Sequence, residues 1–367
     1  MTSLRLMTLV CVLIASASAT QAEPPAFRTD GGDEKLPWFQ LTPGEFPPPG
    51  SAHAISGELI RVDHVNRTAA IRTDRTGAQR TDEYDLALEF TLLPYATLSY
   101  HGAPCELRDI PLGTHLHGQF YEATKGNKKV FSHAINLEDD FSHMTAAQRL
   151  WRIDAVDLGK RTLTVTGIQQ PSEEADAKPT VFQIMSATRI WKGREFGQLK
   201  DVAAAQTVLI NLTVCTLKGP GRCTDIWLDP ESRQTAAATQ LEQHLLYQRE
   251  HGLACQVEEV DNQKKIVTVT VFAGFDQSLR SGFKQKDYIA AAVANTDLRT
   301  HDQNNDTARG PVVEVIEGLA TPGQSGLRLR FQPDILLEGY RPKKILRIFG
   351  AGWHIDDLPR EERAYDG

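Results

Sequence analysis

Val62-Asp63 leads, after two residues, into Asn66-Arg67-Thr68-Ala69-Ala70-Ile71; Val156-Asp157 leads likewise into Lys160-Arg161-Thr162-Leu163-Thr164-Val165, and Val260-Asp261 into Lys264-Lys265-Ile266-Val267-Thr268-Val269. Each copy reads as an apolar strand ending in Asp, a short polar turn and a second β-rich strand. Recurrence of one supersecondary phrase at long spacing marks a chain assembled from repeated units.

The likeness between the first two copies extends well past the hairpin. Phe90-Thr91-Leu92-Leu93 precedes Ala96 to Gly102 and then Leu107-Arg108-Asp109-Ile110. In the same order, Phe182-Gln183-Ile184-Met185 precedes Ala187 to Gly193 and then Leu199-Lys200-Asp201-Val202. This alignment equates Tyr100 with Trp191, His101 with Lys192, His115 with Thr207 and His117 with Leu209. The third copy keeps the hairpin and then diverges, with Leu327 to Phe331 and Ile345 to Phe349 as late strands.

Short strands separated by turn residues predict a mainly β protein of two or three tandem OB-like small β-barrels joined by connector helices. β-sandwich units are the alternative. One connector starts at Asp229-Pro230-Glu231, a cap residue with Pro at the first helical position, and stops at Gly252. Leu241, Leu245 and Leu246 fall on one of its faces. A shorter helix is expected around Met144 to Leu150.

The units resemble the small repeated β-barrel domains of unknown function in exported bacterial proteins. The residues that carry this likeness are Gly57 to Asp63, Ile153 to Asp157 and Val257 to Asp261. The resemblance implies an OB-like barrel in an envelope or extracellular setting, and it brings no catalytic residues.

The start of the chain agrees with export. Arg5, the apolar run from Leu6 to Ala15 and the small residues from Ala17 to Ala22 read as a cleavable signal, too short to span a bilayer. Loss of Arg5 lowers the 40 basic side chains to 39 against 47 acidic ones. That acidic surface disfavours nucleic acid, whose backbone attracts basic proteins. Residues 23–54 are rich in Pro and Gly and read as an extended arm, with Leu36, Trp38 and Phe39 as anchors onto the folded body. The expected organisation continues with barrel units over 55–142 and 143–228, a connector helix over 229–252, a diverged β unit over 253–350 and a charged tail over 351–367. Cys215 and Cys223 bracket a Gly-Pro turn and are candidates for a disulfide in an oxidising compartment.

His115-Leu116-His117 is the sharpest chemical signal. Alternate residues of a strand share a face, so both imidazoles project together while Leu116 and Phe120 point to the core. Glu122 follows at a spacing similar to the His-x-His-x4-Glu run of cupins, and His101 is a candidate neighbour. Such a set suits a divalent metal, Zn²⁺, Mn²⁺ or Fe²⁺. Asp302, Asn304 and Asp306 have the alternating oxygen spacing that opens a calcium loop, without the glycine and closing glutamate. There is no Gly-x-Ser-x-Gly elbow, phosphate-cradling glycine loop, Cys-x-x-Cys or His-Glu-x-x-His.

The expected function is therefore non-enzymatic: an exported modular protein, periplasmic or extracellular, with a structural or binding role toward an envelope component or glycan. The mature chain carries no expected membrane span. The alternative is a metal-dependent enzyme centred on the first unit.

Overall fold

The computed structural model describes residues 26–74, 87–125, 128–172, 174, 178–214, 221–300, 306–353, 359 and 362–364. The signal segment 1–22, Cys215, Asp302 and Asn304 lie outside these residues.

The repeated phrase is one hairpin built three times. Strands β1 (His53–Asp63) and β2 (Thr68–Thr73) pair with Val62 opposite Ala69. β7 (Arg149–Asp157) and β8 (Thr162–Gln169) set Val156 opposite Leu163. β13 (Leu253–Asp261) and β14 (Ile266–Phe272) set Val260 opposite Val267. All three ladders shift by one residue at the same place, leaving Ile60, Asp154 and Glu258 as bulges. The conserved pattern of Asp within the chain has a physical cause. Its carboxylate accepts the backbone N–H three residues on, from Asn66 at 3.1 Å, Lys160 at 2.8 Å and Lys264 at 3.0 Å. That bond closes a turn whose last residue is left-handed, at φ 52° for Arg67 and 53° for both Arg161 and Lys265. For residues other than glycine this conformation costs about 1 kcal/mol, which the Asp cap helps offset.

The first barrel adds β3 (Ala87–Tyr100), the short β4 (Ala103–Pro104), β5 (His115–Lys125) and β6 (Lys128–Asp139). β1, β2 and β3 run antiparallel in series; β3 pairs parallel with β6, and β5 joins β6 back to β1. The second barrel repeats this closure with β9 (Thr180–Lys192), β10 (Glu195–Phe196), β11 (Thr207–Leu212) and β12 (Gly221–Trp227), again with a parallel β9–β12 pair. Five strands closed in this order form an OB-like barrel. The equivalence extends to single hydrogen bonds: Leu59 N–H donates to Thr114 and Ile153 N–H to Gln206, each at 2.9 Å. His115 and Thr207 are therefore counterparts.

One part of the sequence alignment shifts by a residue. The β3–β4 hairpin turns through His101-Gly102 and the β9–β10 hairpin through Gly193-Arg194. This equates Tyr100 with Lys192 and His101 with Gly193. The two segments differ in length before the turn, so alignment from Ala96 and Ala187 slips.

The third barrel is a different closure. β13, β14, β17 (Gln324–Phe331), β16 (Thr307–Glu317), β15 (Tyr288–Ala294) and β18 (Ile345–Phe349) form a six-stranded ring in that order, with every adjacent pair antiparallel. A shared hairpin thus seeds two topologies. Each barrel has its own apolar core, around Leu59, Leu92 and Phe120 in the first, Ile153, Val165 and Ile226 in the second, and Val257, Val269 and Phe331 in the third.

Helix α1 (Asp140–Ala146) joins the first two barrels and α2 (Pro230–His251) the last two. α1 begins earlier than Met144, because Asp139 caps it through Ser142 N–H at 2.9 Å, and Arg149 already belongs to β7. The buried face of α2 is polar: Gln240, His244, Gln248 and His251 are buried, while Leu246 is 56% exposed. Those side chains bond outward to other units, Gln240 to Asp109 and both His244 and Gln248 to the Gly274 carbonyl. The arm is anchored as its aromatics suggest, with Trp38 against His53 and Phe131, and Phe39 against Tyr121. Among the described residues no helix is long and apolar enough to cross a membrane.

Candidate metal centre at the seam of the first two barrels

Pleating of β5 sends Leu116 into the core and His115 and His117 outward; Leu116 is fully buried. The ladder sets Leu116 opposite Asp139 at the end of β6, so the next residue, Asp140 at the start of α1, arrives beside His115. Asp140 Oδ1 lies 2.8 Å from His115 Nδ1 and 2.9 Å from His117 Nε2. Each of the three residues offers a ligand atom, and these atoms lie within 4.8 Å of one another.

The surrounding groups fix each member of this cluster. His115 Nε2 is 2.9 Å from Asp74 Oδ2, which also accepts the Ser56 hydroxyl at 2.7 Å. Asp140 Oδ2 accepts the Leu212 N–H from β11 at 2.8 Å. His117 stacks on His143 with ring centroids 4.0 Å apart, and His143 Nδ1 is 2.8 Å from Glu138. Next door, Asp139 accepts the Asn211 amide at 2.7 Å and the His101 N–H at 3.1 Å, while Asn211 Oδ1 accepts the Phe141 N–H. The cluster is thus part of the seam between the two barrels.

Its electrostatics separate two adjacent carboxylates. Burial pushes the Asp139 carboxyl up to about 6 despite bonds from Ser142 and Asn211. Burial acts on Asp140 in the same sense, but the charge and hydrogen bonds of His115 and His117 outweigh it and hold its carboxyl well below the usual range. Two imidazoles sharing one carboxylate oxygen can hold a proton between them or, with nitrogen lone pairs turned inward, a divalent cation. The two-histidine, one-carboxylate donor set suits Zn²⁺, Mn²⁺ or Fe²⁺, and the His115–Asp74 contact is the outer carboxylate that such a histidine ligand uses.

Of the four residues singled out in sequence, the structure brings His115 and His117 together and places the other two elsewhere. Glu122 lies roughly 16 Å farther along β5 at about 3.3 Å per residue, bonded to Gln40 at 3.3 Å and beside Lys129 at 3.4 Å. His101 occupies the β3–β4 turn, stacked on Tyr100 and edge-on to Trp227. Asp140, Asp74 and His143 are the partners the spacing did not indicate. The available signal was the Asp139-Asp140 pair at the start of a helix. Asp306 opens the approach to β16, its carbonyl accepting the Val293 N–H at 2.9 Å. Cys223 is buried in the second barrel. Cys105 and Cys255 belong to the separate cores of the first and third barrels, so they do not pair with each other.

No protein-family model and no curated protein matches the chain.

His101 gives the seam a pH dependence. Burial lowers its imidazole to about 4, with Asp225 pulling it up and Arg189 pushing it down. The unfolded imidazole, titrating near 6.5, therefore binds more protons between these values, and the contribution of His101 to folding stability falls as pH drops from about 6.5 toward 4, while the raised Asp139 carboxyl acts in the opposite sense below about 6. His101→Gly, which installs the residue found in the second barrel's turn, removes up to about 3 kcal/mol of that slope. Urea melts of both proteins at pH 7 and pH 4.5 check this; parallel curves would refute it.

Proposed function

We propose that the chain is an exported, non-enzymatic modular protein with a structural or binding role in the cell envelope, toward a glycan or another envelope component. The observation that supports this reading most is that the barrel is built twice while the reactive cluster is not. Asp229 does in the second barrel what Asp139 does in the first: it caps a helix, through Ser232, and accepts the hairpin-turn N–H, from Gly193. The residue after it is Pro230 in place of Asp140, and Thr207 and Leu209 stand where His115 and His117 do. The barrel framework thus folds without the cluster. Expression with residues 1–22 in a bacterium should yield a periplasmic chain beginning at Glu23. Cytoplasmic retention with an intact N-terminus would refute the export half of this reading.

A second reading, metal-dependent chemistry in the first barrel, rests on the convergence of His115, His117 and Asp140. Here the bound ion would supply a Lewis acid, and the chain would orient it through Asp74 and the Leu212 N–H. Metal analysis after purification separates the readings. About one equivalent of Zn²⁺, Mn²⁺ or Fe²⁺ per chain, lost in the His115→Ala/His117→Ala pair, would favour the second. Metal-free protein after incubation with each ion would remove it.

A further inference from the structure

The first and third barrels meet α2 around a cluster of arginines unlike anything in the second barrel. Arg67 Nη2 donates to the Leu93 carbonyl at 3.2 Å, and its counterpart Arg161 donates to Met185 at 2.8 Å. That bond is part of the repeated hairpin. What differs is burial: the Arg67 side chain is 7% exposed, and Arg347 of β18 is buried beside it. Among the described residues, Arg347 bonds to main-chain carbonyls, Leu298 at 2.7 Å and Gly252 at 2.8 Å.

Arg67, Arg108, Arg299 and Arg347 share a cavity of about 40 Å³ with Glu106, Asp297 and Glu362. The carboxylates are matched to three of the four guanidiniums, Glu362 to Arg108 at 3.3 Å, Asp297 to Arg299 at 3.5 Å and Glu106 to Arg67 at 3.7 Å. Arg347 has no carboxylate partner among the described residues. Among the described residues, buried Arg67 Nε and Arg299 Nε have no hydrogen-bond partner, and neither does His244 Nδ1, which lies 3.8 Å from Glu106 Oε1. A buried charge without a counter-charge costs several kcal/mol, and an orphaned donor about 1–3 kcal/mol. Water would satisfy the donors but bring no charge. The space exceeds the 10–15 Å³ or so that one water needs.

We propose that this junction binds one small oxyanion of phosphate or sulfate type, held between the guanidiniums of Arg67 and Arg347 and closed over by Arg108 and Arg299. Planar forks with several donors suit the oxygens of such an ion. Because its ligands come from the first barrel and the third, the ion ties the two together. The cavity is too small for a nucleotide or a sugar phosphate.

Equilibrium dialysis of the full chain against labelled inorganic phosphate, with sulfate as competitor, tests this directly. About one phosphate per chain is expected, displaced by sulfate, with a melting temperature several degrees higher in phosphate than in chloride of equal ionic strength. No phosphate or sulfate bound at millimolar concentration would overturn the proposal. Arg67→Met should abolish binding. Because that change can disturb folding, Arg108→Gln and Arg299→Gln, at more exposed lining positions, are each expected to weaken binding several-fold in folded protein. Unchanged affinity in both would place the ion elsewhere and overturn the proposal.

Discussion

Asp140→Ala lowers the unfolding free energy of the first two barrels by about 3–5 kcal/mol, the range for deleting one member of a buried ion pair. The size follows from how many groups the carboxylate serves. Its Oδ1 is shared by two imidazoles, and its Oδ2 accepts a main-chain donor from β11. Alanine leaves all three without that partner, at a site only His117 exposes substantially to water. Asp140→Asn retains an oxygen for one set of these donors and is expected to cost about 1–2 kcal/mol. Urea melts followed by the fluorescence of Trp151 and Trp227, both in the second barrel, report the transition. A shift below about 0.5 kcal/mol in the alanine variant would mean that this carboxylate does not hold the seam. A double-mutant cycle with His115→Ala isolates the pair, with a coupling above about 1 kcal/mol expected.

The seam also shows where reading the chain from its residues succeeds and stops. The hairpins were legible because each rests on local chemistry: an Asp that caps a turn, a left-handed residue, and apolar alternation on both sides. The OB-like closure of the first two barrels was legible because the whole order of segments repeats. The third closure was not, since the same hairpin fits antiparallel neighbours on both edges and nothing local chooses between rings. Strand alternation put His115 and His117 on one face. Their third partner depended on pairing between β5 and β6, a long-range register that sequence spacing does not carry. Glu122 was drawn in by spacing along one strand, which extends rather than folds back.

Helix α2 was legible in its bounds, from the Asp229 cap and Pro230 to the Gly252 stop, but not in how it packs. Its leucines suggest an apolar face, yet the helix buries Gln240, His244, Gln248 and His251. Those side chains face polar loops of the neighbouring barrels, whose cores are already closed. Along this helix, what the neighbouring barrels present is mainly main-chain carbonyls and charges. The junctions combine those polar contacts with shared apolar clusters, Leu93, Tyr95 and Tyr121 with Phe272 and Ile345 between the first and third barrels, and Phe141 and Met144 with Leu209 and Trp227 at the first seam; the arginine cavity is the polar extreme.

The glycine at the head of the first hairpin carries the other large effect. Gly57 of β1 is paired on both edges, with Thr73 of β2 and Leu116 of β5. A Cβ there would lie 2.3 Å from the Arg72 carbonyl oxygen and 2.8 Å from the Thr73 Cα, main-chain atoms that cannot step aside without breaking the ladder. In the second barrel the position belongs to Trp151, and the glycine sits across the ladder as Gly167. In the third it is Cys255 facing Val271. Gly57→Val is expected to destabilise the first barrel by about 3 kcal/mol, the upper end of overpacking costs. Gly159→Ala, in the exposed turn of the second hairpin with its nearest neighbour at 3.4 Å, should stay within about 0.5 kcal/mol of wild type. Calorimetry of the two variants side by side decides the matter: equal melting temperatures would show that β1 and β2 separate at Gly57 at little cost, and that the glycine serves something other than their close approach.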